Sequence, residues 1–168
     1  RRFAEILCAY REKYPKVVVD IRLENRKVDL AAEGFDLALR ATREPSANLI
    51  ARPLCPVPFL LVASPAYLKR QGTPQVPEDL AQLGLIAPSY LNIEGMEIQG
   101  PGGKARVRST VVMKSDDTTL SYHAVHSGLG FAYLPEWLVA DDVAAGQLVH
   151  VLPQHSAPCP TLFAVYTS

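Results

Sequence analysis

The sequence predicts an α/β protein of two Rossmann-like lobes joined by a hinge, with a ligand cleft between them. Three observations carry that expectation. The stretch Val28-Asp29-Leu30-Ala31-Ala32-Glu33-Gly34-Phe35-Asp36-Leu37-Ala38-Leu39-Arg40 reads as a short helix, a glycine stop and an apolar strand that ends on an arginine, which is half of a β-α-β unit. Ala63-Ser64-Pro65-Ala66-Tyr67-Leu68-Lys69-Arg70-Gln71-Gly72 is a second strand-to-helix entry. Between the two, Pro53, Pro56 and Pro58 interrupt a pair of extended runs. Proline cannot donate to a β-ladder, so this region is a sheet edge or a connection between lobes, not the centre of one sheet.

The elements follow in order. Phe3, Ile6, Leu7, Tyr10 and Tyr14 recur at helical spacing. Pro15 ends that helix, because the residue before a proline is pushed out of the helical region. Val17, Val19, Ile21 and Leu23 alternate with polar residues, the period of a strand. Asn25 is the expected cap of the next helix, and Gly34 suits the left-handed residue after it. Residues 35–39 form the following strand, with a right-handed crossover and parallel pairing expected. Ser64 caps a helix with Pro65 at its first position and Gly72 beyond its end. Pro77 opens a short helix, and residues 83–87 are a short apolar strand. Gly100-Pro101-Gly102-Gly103 separates residues 96–99 from 105–112 as a hairpin or loop. A second β-α-β unit runs from residue 107 through a helix capped at Ser115-Asp116-Asp117 to a strand at 131–134. A helix from Pro135 to Ala145, stopped by Gly146, precedes strands at 148–152 and 162–166. Residues 1–58 with 149–168 are expected to build the first lobe and 59–148 the second.

Composition bounds the function. A chain of 168 residues with 48% hydrophobic content is globular in type. Its 17 basic and 17 acidic residues balance, which argues against a nucleic-acid-binding surface on this segment. Cys8, Cys55 and Cys159 are scattered and read as buried, reduced thiols. No apolar run is long enough to span a bilayer, so no membrane partner is expected. The helical pattern from the first residue and the lack of an initiator Met are read as a chain that starts inside a longer protein.

No catalytic constellation, cofactor motif or metal site emerges. There is no Gly-x-Ser-x-Gly elbow and no His-Glu-x-x-His. His123 and His126 share a helix face without a completing ligand, so surface or interface positions are expected. Gly128-Leu129-Gly130 precedes a strand where a dinucleotide loop would follow one. What remains is a set of polar strand ends: Arg40 and Thr42, Ser64, Ser89 and Tyr90, then Ser115, Asp116 and Asp117, with Leu134 and Pro135. In a doubly wound fold such carboxyl ends face one crevice. Arg40 is the leading candidate for a ligand contact, because packing explains a strand-end arginine poorly. A salt bridge to Glu33, Asp36 or Glu44 is the alternative for Arg40, and helix capping is the alternative for Asp116-Asp117.

The residues 28–40, Leu49-Ile50-Ala51-Arg52-Pro53-Leu54, Leu61-Val62-Ala63-Ser64-Pro65-Ala66-Tyr67-Leu68, Gly128-Leu129-Gly130-Phe131-Ala132-Tyr133-Leu134-Pro135 and Gly146-Gln147-Leu148-Val149 stand in an order that resembles the effector-binding domains of LysR-type transcriptional regulators. The resemblance covers nearly the whole chain. It implies a type 2 periplasmic-binding-protein-like fold and a small effector in the interlobe cleft, where the helix start at Ser115-Asp116-Asp117 and the Arg40 charge would suit an anionic one. It also implies a cytoplasmic bacterial protein that binds promoter DNA through a helix-turn-helix region absent from this sequence, as is the domain's first strand. A homodimer or homotetramer is implied too, with Phe3, Ile6 and Tyr10 of one chain against Tyr122 and His126 of another. Met96-Glu97-Ile98 departs from the family, where an aromatic is frequent. A solute-binding protein of a transporter, or less favourably an enzyme of the same fold, is the alternative.

Overall fold

The computed structural model describes residues 2–24, 26, 28–89 and 96–167. Two sheets organise it. The larger carries five strands in the order β7-β4-β8-β3-β9: β3 (Phe59–Ala63), β4 (Gly84–Pro88), β7 (Thr110–Ser115), β8 (Phe131–Pro135) and β9 (Val149–His150). β4 runs parallel to both β7 and β8, while β3 is antiparallel to β8 and β9. The helix α4 (Thr118–His126) therefore makes the crossover from β7 to β8, as expected.

Period-2 alternation divides this sheet's side chains between two cores. Leu61, Leu85 and Phe131 pack on one face with Tyr67 and Leu68 of α3 (Pro65–Gln71) and with Leu80 of a 3-10 helix at Pro77–Gln82. Val62, Ile86, Ala132 and Leu134 pack on the other, against Val125 of α4 and Val139 of α5 (Glu136–Ala144). The helices cover both faces, as parallel strands require. Gly130 lets β4 and β8 approach: a Cβ there would lie 2.4 Å from the Gly84 carbonyl oxygen. Gly128 has a separate reason, a left-handed turn at φ +75° after α4.

The second sheet is β1 (Ala38–Thr42), β10 (Thr161–Tyr166) and β2 (Ile50–Pro56) in the order β1-β10-β2, with both pairings antiparallel. β2 is its edge, which is where Pro53 and Pro56 can sit. A hairpin of β5 (Glu97–Gly100) and β6 (Gly103–Arg106) turns at Pro101-Gly102. Gln99 and Ser156 exchange two backbone hydrogen bonds, at 2.7 and 2.8 Å, which fasten the hairpin to the segment leading into β10.

Several expectations need correction. Residues 17–23 form no strand: Val17, Val19, Ile21 and Leu23 are all exposed, Leu23 at 97%, and among the described residues no strand lies beside them to complete a ladder. The parallel pairing expected for that first unit is accordingly absent, and β1 begins three residues later than expected. The helix α2 (Leu30–Glu33) is capped by Asp29, whose carboxylate accepts from the Ala31 and Ala32 amides at 3.1 Å. Asn25, the expected cap, lies outside the described residues. Gly34 does take the left-handed position at φ +72°. Val149 and His150, expected with the first lobe, extend the five-stranded sheet beside β3. The three cysteines are exposed rather than buried.

Candidate functional site: a cleft between the sheets

The chain crosses between the sheets twice, at 56–59 and again between β9 and β10. The Val57 amide donates to the Pro160 carbonyl at 2.8 Å, so the two crossings lie side by side. Paired crossings of this kind form a hinge. Next to them opens a cleft of about 660 Å³, lined from three directions. Ala41, Thr42 and Arg43 come from the end of β1, and Met96, Glu97, Ile98, Gln99 and Lys104 from the hairpin. Ser156, Ala157, Pro158 and Pro160 come from the second crossing, with Phe59, Pro88 and Tyr133 at the floor. Its size lies in the range of small-molecule sites.

A side pocket of about 20 Å³ adjoins it, sharing Phe59, Pro88 and Tyr133, and reaches Ser115, Asp116, Thr118, Ser121, Leu134 and Pro135. That is room for about one water. Pro88, Ser115 and Pro135 end the three parallel strands, so the pocket sits at the carboxyl edge where such folds place ligands. Phe59 reaches the same edge by opening an antiparallel strand. The Phe59 and Tyr133 rings stack at 4.8 Å and 18°. Burial pushes the Tyr133 phenol well above its ordinary range, the Cys159 thiol adding to the effect. It therefore stays a neutral donor, to the Pro158 carbonyl at 3.4 Å.

Of the expected site residues, the structure brings Ser115, Asp116, Leu134 and Pro135 together in the side pocket and puts Thr42 on the cleft wall. The others have different employment. Arg40 donates to the Val28 carbonyl, not to Glu33, Asp36 or Glu44, and lines neither cavity. Ser64 is buried and caps α3 by accepting from the Tyr67 amide. Asp117 caps α4 through the Leu120 amide at 2.7 Å. Ser89 uses its backbone amide on Ser115 and its side chain is exposed. Tyr90 lies outside the described residues. Sequence reasoning missed Arg43 and the apolar lining. Phe59, Met96 and Tyr133 read as core in a one-dimensional pattern. The available signal was their position beside strand ends and beside the glycine-rich turn.

Tyr122 and His126 point to α5. The Tyr122 hydroxyl donates to Asp142 at 2.7 Å, and His126 Nε2 lies 3.1 Å from the same oxygen. Among the described residues no group of His, Cys, Asp or Glu could hold a metal ion. No helix among them is long and apolar enough to cross a membrane.

Similarity to known proteins agrees with this architecture. The family of the LysR substrate binding domain matches residues 1–168. The chain belongs to that family. It is 33% identical over 150 residues to the probable HTH-type transcriptional regulator LtrA of Klebsiella pneumoniae, covering 89% of this chain and 48% of LtrA. The chain spans about half the length of the curated relatives it matches. The regulatory domain of CrgA, a LysR-type regulator from Neisseria meningitidis, shares its fold with a TM-score of 0.82 at 27% identity, over 99% of this chain and 82% of that domain. Full-length AphB, the Vibrio cholerae virulence activator, gives a TM-score of 0.83 at 25% identity, over 98% of this chain and 56% of AphB. LysR-type regulatory domains have the type 2 periplasmic-binding-protein-like fold, and so does this chain. Its relatives are transcriptional regulators.

Proposed function

We propose that this LysR-family domain is the ligand-sensing part of a cytoplasmic bacterial transcriptional regulator. A small effector enters the cleft, draws the two lobes together about the paired crossings, and so changes how the full-length oligomer holds promoter DNA. One lobe is built on β1, β2 and β10, the other on β3, β4 and β7–β9 with their helices. The observation that carries the reading is a roomy cleft whose walls come from both sheets at their hinge. Closure there is a rigid-body change that a ligand can drive by its contacts to both sides. DNA contact belongs to a helix-turn-helix region such as the HTH-type relatives LtrA and DmlR carry in their names.

The test is a thermal-shift screen of a metabolite library. A cognate ligand at ~100 Kd stabilises by about 2.7 kcal/mol, and Phe59→Leu weakens that effect. A library with no ligand whose effect depends on Phe59 counts against the proposal. Association has its own support: the helix α1 (Arg2–Lys13) exposes Phe3, Ile6 and Tyr10. These apolar side chains suit an interface with the α4 surface of a second copy. Sedimentation reads this directly, and Ile6→Glu shifts a dimer toward monomer.

A further inference from the structure

We infer that the cleft selects a small carboxylate with a planar apolar body, the ring lying on the Phe59–Tyr133 pair and the acid group facing Arg43. The inference rests on the effector reading above and adds the chemical class of the effector.

The polar groups of the lining are mostly committed within the protein. The Thr42 hydroxyl donates to the Glu44 carbonyl at 2.9 Å and accepts from the Glu44 amide at 3.2 Å. The Gln99 amide nitrogen donates to the Gly100 carbonyl at 3.3 Å. Lys104 lies 3.7 Å from Glu97, the one carboxylate among the described lining residues of the larger cleft, so those two charges offset each other. Arg43 differs. Among the described residues it has no hydrogen bond or ion pair, and it stands on the cleft wall with its charge uncommitted. A guanidinium matches a carboxylate by two parallel N–H···O bonds, a stronger and more directional contact than an ammonium makes.

The rest of the lining is apolar and flat. Phe59 and Tyr133 offer a stacked aromatic pair, and Met96 and Ile98 face the cavity from the hairpin. Aromatic pairs favour an offset planar partner. Charge then fixes which way the ligand points. The side pocket ends at Asp116, which has no partner among the described residues. A carboxylate directed there meets like charge, whereas one directed at Arg43 meets its complement.

The experiment is calorimetry of the 168-residue chain with benzoate, phenylacetate and cinnamate, each beside its primary amide, and with benzylamine. At least one acid is expected to bind tenfold or more tightly than its amide, and benzylamine most weakly. Arg43→Gln removes the preference for acid over amide, whereas Phe59→Leu weakens acid and amide alike. Arg43 is exposed, so its replacement leaves the fold intact, which the unfolding midpoint verifies. The inference is overturned if no acid outbinds its amide, or if Arg43→Gln keeps the preference. A neutral or cationic metabolite that binds in the screen above and loses affinity on Phe59→Leu overturns the anion selectivity alone. A screen that yields no ligand of any charge whose effect depends on Phe59 overturns the effector reading instead.

Discussion

The five-stranded sheet and the three-stranded sheet were written with similar apolar patterns and meet opposite fates. In the first, β3 and β8 bury most of their residues on both faces, between α3 on one side and α4 and α5 on the other. In the second, β2 is exposed at six of seven positions, and Val165 is the one buried residue of the three strands. Leu37, Leu39, Ile50 and Leu54 remain at the surface. Hydrophobic residues become a core only where a second layer covers them. Buried apolar side chains therefore concentrate in the larger sheet.

Three pairs of substitutions sharpen that contrast, beginning with the largest effect. Phe131 is fully buried, so Phe131→Ala removes a ring from a covered core and should cost about 3–5 kcal/mol in denaturant unfolding. Leu23→Ser, at an apolar residue of the N-terminal segment 17–23, should stay within about 0.5 kcal/mol because that side chain already lies in water. A loss above 1 kcal/mol at Leu23 would falsify the exposed reading of residues 17–23.

Next comes Gly130→Ala. The added methyl meets the Gly84 carbonyl, which is backbone and cannot rotate away. Overpacking of this sort costs about 1–3 kcal/mol. Gly102→Ala is the control: it stands in the hairpin turn with open space around its Cβ position. Equal midpoints for the two variants would remove close β4–β8 packing as the reason for Gly130.

How much of this was legible in the sequence depends on the range of the interaction. Local devices could be read directly: Ser64 and Asp117 as caps, Gly34 and Gly146 as left-handed stops, and residues 59–63 as a strand. Each is decided within a few residues of chain. Residues 17–23 show the limit of the method. Their alternation is real, but a strand exists only with a partner, and no period reports whether one is there. The same limit hid the cleft wall. Phe59 and Tyr133 have the composition of a core, and only the meeting of two strand ends turns them toward a cavity. Arg40 shows the converse case. A charged residue at a strand end announced a ligand, while its guanidinium is used by the Val28 carbonyl twelve residues back.

The smallest effect at neutral pH separates the two regions by acid sensitivity. In the larger region Asp142 accepts from Tyr122, its main cause of a pKa below the ordinary 3.8, and His126 adds to the lowering. A carboxylate depressed in the folded state binds its proton first in the unfolded chain as pH falls. The stabilisation from Asp142 is thus complete above its unfolded value and is lost as pH drops from there through the lower folded value. Asp142→Asn should flatten the acid limb of thermal stability below about pH 4, leaving a modest deficit at neutral pH. In the smaller region, Glu33 is lowered chiefly by its hydrogen bonds from Arg26, at 2.6 and 2.8 Å. That pair is exposed and screened by salt, so Glu33→Gln should change the acid limb only at low ionic strength. If Glu33→Gln and Asp142→Asn respond alike in high salt, the α4–α5 tie is no better shielded than the surface pair, and the contrast between the two regions stops at their cores.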